Sequence, residues 1–278
     1  MSRLPDPATR GKVAKSSFYL GMRVLPRAER EAMFAIYAFC RDVDDIADDE
    51  VGTSEERRAA LDNWSADIAA FYAGGDAGRA GYLVPAIERF GLAREDFDAV
   101  IAGMRMDVDD DIRWPDWATL DLYCDRVASA VGRLSVRVFG MDHEPGLALA
   151  RHLGRALQLT NILRDIDEDA AIGRLYLPRE PLEAASIPLE TPMQIAADAR
   201  LDRAAREVAA RAHAHFVEAN RIMAARPRGH LIAPRLMERV YAGVLARMEI
   251  AGWAPPRRRA RVDKLGLLLT LVRLQLTR

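Results

Sequence analysis

Apolar residues recur every three or four positions along almost the whole chain, which is the period of an amphipathic α-helix. The chain has no clear runs of alternating, β-branched residues bounded by turns, so the pattern predicts an all-α protein. The predicted helices, which end at glycine and proline breaks, are 17–25, 27–49, 54–73, 82–90, 94–110, 117–139, 145–170, 193–225, 229–251 and 262–276. None of the breaks is typical of an interdomain linker, and we expect a single helical domain over residues 1–278.

The helix predicted at 27–49 changes from apolar to acidic where it enters CRDVDDIADDE (40–50). At about 100° per residue, one stripe of this helix consists of Phe34, Tyr37, Arg41, Asp44 and Asp48, with Asp45 at its edge. Asp42 and Asp49 lie away from this stripe and are expected to be solvated. The stripe predicts a pocket wall that is aromatic at one end and acidic at the other.

The helix predicted at 145–170 carries a second acidic stripe around LRDIDED (163–169). Its polar positions, within an arc of about 100°, are Gly154, Gln158, Asn161, Asp165, Glu168 and Asp169. Aliphatic residues flank the stripe on both sides, which favours an internal cavity. An ordinary solvent-exposed face is the alternative interpretation of this helix by itself.

Each acidic helix places two carboxylates four residues apart, shortly after an arginine. Like charges at that spacing repel by roughly a few tenths of a kcal/mol, and a bound cation reverses this repulsion. Carboxylate oxygens without histidine or cysteine suit Mg²⁺, which takes carboxylates together with substrate phosphates, and Mn²⁺ could replace it. Arginine binds phosphate through parallel N–H donors. The pattern therefore predicts a diphosphate substrate that is held through Mg²⁺.

Composition and charge argue against several other classes of function. The chain has 40 basic and 41 acidic residues, so its net charge of −1 gives no reason to expect a nucleic-acid partner. Cys40 and Cys124 lie among apolar helical residues, which fits a reducing cytoplasm better than a disulfide framework. The N-terminal residues show no signal peptide, and a cytoplasmic protein is expected.

The C-terminal sequence APPRRRARVDKLGLLLTLVRLQL (254–276) combines a basic part with an apolar part. Its apolar part is shorter than the about 20 residues that cross a bilayer. Such a segment could rest on the inner face of an anionic membrane as a peripheral contact. Packing of this segment on the protein core is the favoured interpretation.

Five stretches, in order over most of the first two-thirds of the chain, resemble the squalene/phytoene synthase family. They are SSFYLGMRVLP (16–26), AIYAFCRDVDDIAD (35–48), GMRMDV (103–108), YCDRVASAVG (123–132) and GRALQLTNILRDIDEDAAIGRLYLP (154–178). The resemblance implies an all-α isoprenoid-synthase fold, which is a helical bundle around a central cavity. Two aspartate-rich motifs would face each other across this cavity and hold Mg²⁺.

The resemblance also implies roles for individual residues. The catalytic residues would be Asp44, Asp48, Tyr123, Asp165 and Asp169. The metal ligands would be Asp44, Asp45, Asp48, Asn161, Asp165 and Asp169. The substrate-binding residues would be Ser16, Ser17, Phe18, Tyr37, Arg41, Gln158, Asn161, Arg164 and Arg174. Asp107 matches an acid of the family pattern, and the small residues Ala128, Ala130 and Gly132 would either line the chamber or pack helices together.

Members of this family join two allylic diphosphates head to head, so the resemblance implies a Mg²⁺-dependent prenyltransferase. The motifs are most similar to those of bacterial members that convert two farnesyl diphosphates to presqualene diphosphate for hopanoid biosynthesis, and NADPH is not expected. The alternatives are phytoene synthesis from geranylgeranyl diphosphate and NADPH-dependent squalene synthesis. A catalytically silent scaffold would be free to lose the aspartates, which are intact here. A chain-elongating prenyltransferase or terpene cyclase would lack the YCDRVA and QLTNILRD blocks.

Overall fold

The structure, a computed structural model, describes Met22 and residues 25–48, 52–109 and 112–260. Its α-helices are α1 (Arg27–Ala47), α2 (Ser54–Tyr72), α3 (Val84–Phe90), α4 (Arg94–Asp109), α5 (Trp117–Cys124), α6 (Ala130–Val138), α7 (His143–Arg164), α8 (Ile166–Ala171), α9 (Arg179–Ala184), α10 (Pro192–Ala197), α11 (Leu201–Ala224) and α12 (Ile232–Ala251). A 3₁₀ segment, Gly78–Leu83, and a π-helical segment, Asp125–Ser129, complete the helical elements of these ranges. The described residues contain no β-strand, and the all-α prediction is confirmed.

Some predicted helices are divided in the structure. The helix predicted at 145–170 ends at Arg164, because Asp165 leaves the helical conformation with φ −105° and ψ 17° before α8 begins. The buried residues Ile162, Leu163 and Ile166 keep the apolar period across this break, so periodicity could not show it. Apart from Met22 and Leu25, the helices predicted at 17–25 and 262–276 lie outside the described residues.

Buried apolar side chains form two clusters that meet at the π-helical segment. One cluster draws on α1, α2, α4 and α6, and the other draws on α7, α11 and α12. Val127, in the π-helical segment, packs against both clusters. Helix α7 packs against α11 on one side and α6 on another, so the polar end of α7 is supported by buried neighbours.

Glycines let α4 and α7 approach the π-helical segment closely. A Cβ atom at Gly103 would lie 2.6 Å from Cγ1 of Val127, and one at Gly154 would lie 2.8 Å from Cα of Ser129. Contacts this short leave room for no side chain larger than hydrogen. Gly154 therefore belongs to a helix contact, and its assignment to a pocket-lining stripe was wrong.

The small residues of α6 also serve helix packing. Ala130 is fully buried. A Cβ atom at Gly132 would lie 3.0 Å from Cα of Ala150 on α7. Of the two interpretations of these positions, the structure favours close packing for Ala130 and Gly132.

Gly154→Ala is expected to lower the free energy of unfolding by about 1–3 kcal/mol, because the added methyl meets backbone atoms that must shift. Gly243→Ala in α12 is the matched control, since its Cβ would meet only Nη1 of Arg247 at 3.6 Å. That control is expected to be neutral or to stabilise by up to about 1 kcal/mol through helix propensity. Urea denaturation measures both. A Gly154→Ala protein as stable as the parent would contradict the close helix contact.

Candidate functional site

The first acidic motif lies in the last turns of α1. The buried face of this part of the helix includes Ile36, Phe39, Val43 and Ala47. On the half-buried face, Nη1 of Arg41 donates to Oδ2 of Asp44 at 2.5 Å, and Nη2 donates to Oδ1 of Asp45 at 2.8 Å. The predicted division into an apolar and an acidic face is confirmed. Arg41 holds two of the predicted metal ligands.

The second acidic motif lies where α7 ends and α8 begins. Arg164 donates to the two carboxylate oxygens of Asp165 at 2.9 and 2.5 Å. Nε of Arg259, in the segment after α12, also donates to Asp165, at 2.8 Å. The first motif thus ends a helix, where unpaired carbonyl groups disfavour carboxylates and favour cations. The second motif follows the C-terminus of α7, and Asp165 is also the N-cap of α8.

Arg174 joins the two motifs. It follows α8, and its Nη1 donates to Oδ1 of Asp48 at 2.7 Å. Its Nη2 donates to the carbonyl of Ala47 at 3.1 Å, and Nη1 of Arg57 donates to the same carbonyl at 3.2 Å. Two guanidinium groups therefore cap the C-terminus of α1. The backbone N–H of Arg174 donates to the carbonyl of Asp169 at 2.9 Å, so this residue links the first motif to the second.

A third carboxylate, Asp107 on α4, lies between the motifs. It accepts hydrogen bonds from the phenol of Tyr123 at 3.0 Å and from the phenol of Tyr176 at 2.7 Å. Its charge acts on Asp44 and on Asp169, one in each motif. The sequence analysis matched Asp107 to the family pattern but assigned it no role, and it did not identify Tyr176 as a site residue. Tyr176 could have been found from its position in GRLYLP, at the end of the last family stretch.

Three carboxyl groups of the site hold their protons unusually strongly. The pKa is raised to about 6 for Asp44, to about 6 for Asp107 and to about 7 for Asp169. Burial is the largest cause in each case. For Asp44 and Asp169 the next cause is the negative charge of Asp48 and Asp165, respectively. A bound cation would relieve this excess of buried negative charge.

The amide side chains of α7 supply oxygen ligands beside the second motif. Nδ2 of Asn161 donates to Oε1 of Gln158 at 3.4 Å. Oδ1 of Asn161 is buried and lacks a hydrogen-bond partner within the part of the chain that the structure describes. An orphaned buried acceptor is unfavourable by about 1–3 kcal/mol, and a neutral oxygen of this kind is a suitable Mg²⁺ ligand. The donor types therefore fit Mg²⁺.

The carboxylates are not arranged around a common metal position. Within the described ranges, no three or more His, Cys, Asp or Glu side chains form a group that could hold a metal. Arginines occupy the carboxylates of Asp44, Asp48 and Asp165 instead. Metal binding would require these carboxylates to exchange an arginine for the ion.

The remaining predicted residues differ in where the structure places them. Tyr37 is half-buried on the same side of α1 as Asp44. Ser16, Ser17 and Phe18 lie outside the described residues, as does Asp49. The expectation that Asp42 is solvated was wrong, because this half-buried side chain accepts a hydrogen bond from the phenol of Tyr82 at 2.8 Å.

The described part of the basic C-terminal segment packs on the second motif. Arg257 binds the carboxylate of Asp167 and donates to the carbonyl of Ala196 at 2.6 Å. The indole of the buried Trp253 donates to the carbonyl of Leu163 at 3.1 Å. Up to residue 260, the segment thus makes contacts within the fold. Among the helices in the described ranges, none has the length and apolar character needed to cross a bilayer.

Comparison with known proteins shows the family of this chain. A sequence profile of the squalene/phytoene synthase family matches residues 12–266. The chain belongs to this family. The presqualene diphosphate synthase of Zymomonas mobilis is 61% identical over 262 residues, which are 94% of this chain and 90% of that protein. The 15-cis-phytoene synthase of Synechocystis is 41% identical over 182 residues, which are 60% of this chain and 53% of that protein.

The fold also agrees with a solved structure of the family. A squalene synthase from Alicyclobacillus acidocaldarius superposes with a TM-score of 0.76 and 28% sequence identity, covering 90% of this chain and 97% of that one. The predicted family and isoprenoid-synthase fold are confirmed.

Proposed function

We propose that this chain is a prenyltransferase that condenses two molecules of farnesyl diphosphate head to head into presqualene diphosphate and releases diphosphate. The observation that carries the proposal is the pair of aspartate motifs linked through Arg174, with Arg41, Arg164 and Arg174 bound to their carboxylates. The 61% identity to a presqualene diphosphate synthase, over nearly the whole chain, supports this choice of reaction. Similarity to phytoene synthase is lower and covers less of the chain.

Diphosphate recognition would follow from an exchange of partners. A planar guanidinium group binds phosphate oxygens through two parallel hydrogen bonds, so an incoming diphosphate can take Arg41, Arg164 and Arg174 from the aspartates. The freed carboxylates and Oδ1 of Asn161 would then hold the ions. When bound, Mg²⁺ would neutralise the negative charge that develops on the departing diphosphate.

The carbon chemistry needs a site that stabilises positive charge and excludes water. Departure of diphosphate would leave an allylic cation, and the double bond of the second substrate would attack it. Loss of a proton to the released diphosphate would then close the cyclopropane ring. Tyr37 lies about one turn before Arg41 on the stripe of α1 that ends in the acids, so its ring would lie beside the diphosphate end. Tyr123 and Tyr176 stack with ring centroids 5.0 Å apart. Aromatic faces favour a nearby cation, and their bulk keeps water out.

The proposal is tested by incubating the protein with farnesyl diphosphate and Mg²⁺, with and without NADPH, and identifying products by mass spectrometry. Presqualene diphosphate is expected in both reactions, and Mn²⁺ is expected to replace Mg²⁺. Squalene formed only with NADPH would instead indicate a squalene synthase. Turnover of geranylgeranyl diphosphate alone would indicate a phytoene synthase. No turnover of any prenyl diphosphate would contradict the enzymatic proposal.

A further inference from the structure

Tyr123, Asp107 and Tyr176 form one hydrogen-bonded unit beside the acidic motifs. The Tyr123 phenol donates to Oδ2 of Asp107 at 3.0 Å, and the Tyr176 phenol donates to Oδ1 at 2.7 Å. The two rings are stacked with an angle of 21° between their planes. The tyrosines are only 6% and 7% exposed, respectively. Both carboxylate oxygens of Asp107 are therefore occupied by buried phenols.

The three residues come from separate elements that are braced against one another. Asp107 lies on α4, Tyr123 lies near the end of α5, and Tyr176 lies in the segment after α8. The backbone N–H of Trp114, which precedes α5, donates to the carbonyl of Leu175 at 2.7 Å. This bond holds the segment that carries Tyr176 against the segment that leads to Tyr123. The backbone thus supports the arrangement of the phenols.

Asp107 differs from the motif aspartates in its partners. Asp44 and Asp165 are bound by arginines, which a diphosphate can attract. Asp107 is bound by two buried phenols, and a phenol that lost this carboxylate would be left as an unpaired buried donor. Asp107 is therefore expected to keep its tyrosines while the motif aspartates exchange partners.

We propose that Asp107 and Tyr176 are positioning residues that act through Tyr123. The carboxylate of Asp107 fixes the direction of the Tyr123 O–H. The phenol of Tyr176 holds that carboxylate in place, and its stacked ring fixes the plane of the Tyr123 ring. The other ring face and the phenol oxygen of Tyr123 are thereby presented to the substrates in one orientation. This inference rests on the proposed function, because it assigns these residues a task within that reaction.

Asp107→Asn and Tyr176→Phe test this role. The asparagine replaces one acceptor oxygen with an amide donor, so one phenol must reverse its hydrogen bond or turn away, and kcat is expected to fall by about 10- to 100-fold. Tyr176→Phe keeps the stacked ring and removes one donor, so a smaller loss of about 3- to 10-fold is expected. The matched control is Tyr82→Phe, which removes a similar phenol–carboxylate bond, to Asp42 at 2.8 Å, and is expected to leave kcat unchanged.

The decisive measurements are a double-mutant cycle and a Mg²⁺ titration. If Asp107 acts through Tyr123, adding Asp107→Asn to Tyr123→Phe lowers kcat by less than about threefold. In Tyr176→Phe, which keeps the charge of Asp107, the Mg²⁺ concentration for half-maximal rate then stays within about twofold of the parent value. Full multiplication of the two losses, a tenfold rise in the Mg²⁺ requirement, or unchanged kcat in both Asp107→Asn and Tyr176→Phe would each overturn the proposal.

A measurement without turnover separates this inference from the proposed function. Tyrosine labelled at Cζ with ¹³C reports the hydrogen bond of each phenol by NMR, and Tyr123→Phe identifies the Tyr123 signal. That signal is expected to move in Asp107→Asn and Tyr176→Phe and to stay in place in Tyr82→Phe. A Tyr123 signal that stays in place in Tyr176→Phe overturns the positioning unit, even if Asp107→Asn fails to fold. An inactive parent protein would instead contradict the proposed function.

Discussion

Asp44→Asn is expected to lower kcat with farnesyl diphosphate by about 10³-fold or more, because the reaction loses a charged group that assists departure of diphosphate. The same substitution is expected to leave the metal-free protein at least as stable as the parent. This combination of lost activity and retained stability distinguishes a ligand-binding carboxylate from a structural one.

The physical reason lies in the environment of Asp44. Burial, followed by the charge of Asp48, raises its pKa to about 6, so the ionised form is disfavoured in the folded protein. An asparagine removes the negative charge, and its oxygen can still accept a hydrogen bond from Arg41. In the metal-free folded protein, the substitution therefore removes a repulsive charge and keeps the hydrogen bond from Arg41.

The measurements are diphosphate release at saturating Mg²⁺ and the thermal midpoint in EDTA. Asp42→Asn is the matched control, since Asp42 lies on the same helix and binds Tyr82. Its amide oxygen can still accept that bond, and kcat is expected within about threefold of the parent. A thermal midpoint lowered by about 5 °C or more in Asp44→Asn would instead identify Asp44 as a structural residue.

Asp169→Asn is expected to stabilise the metal-free protein by an amount that grows as the pH rises from about 5 to about 7. Burial, followed by the charge of Asp165, raises the pKa of Asp169 to about 7. The folded protein then holds a proton that the unfolded chain has released, so the free energy of unfolding falls with rising pH. A carboxyl with a pKa near 7 in the folded protein and near 3.9 in the unfolded chain lowers the free energy of unfolding by at most roughly 4 kcal/mol at high pH.

Thermal midpoints of the parent and Asp169→Asn in EDTA, at several pH values between 5.5 and 8.5, test this prediction. The difference should reach several °C and level off above about pH 7. Mg²⁺ should reduce the difference, since an ion at 100 times its Kd stabilises the parent by about 2.7 kcal/mol. A difference that does not depend on pH would contradict the assignment.

Asp198→Asn provides the control for the pH series. The pKa of Asp198 is lowered by the hydrogen bond from Arg200, so this carboxyl stays ionised throughout the measured range. Its substitution is expected to change the thermal midpoint by the same amount at every pH.

Local patterns in the sequence were sufficient for much of the fold. The three-to-four-residue period predicted the helices, because each helix buries one face and its apolar residues therefore recur with the helical period. The stripe of α1 was read correctly for the same reason, with Val43 buried on one side and Arg41, Asp44 and Asp45 on the other. The family motifs named the aspartates of the site, since those letters stand close together in the chain.

Only the tertiary structure decided which groups meet across the fold. The periodicity continued through Asp165, although the helix ends there. No local pattern could pair Arg174 with Asp48, or Tyr176 with Asp107, because these partners are far apart in the chain. Gly154 looked like part of a polar stripe because a sequence shows which face a residue occupies but not how closely a neighbour approaches. The sequence by itself thus determined the helices and the identity of the acids, while packing decided their partners, their burial and therefore their pKa values.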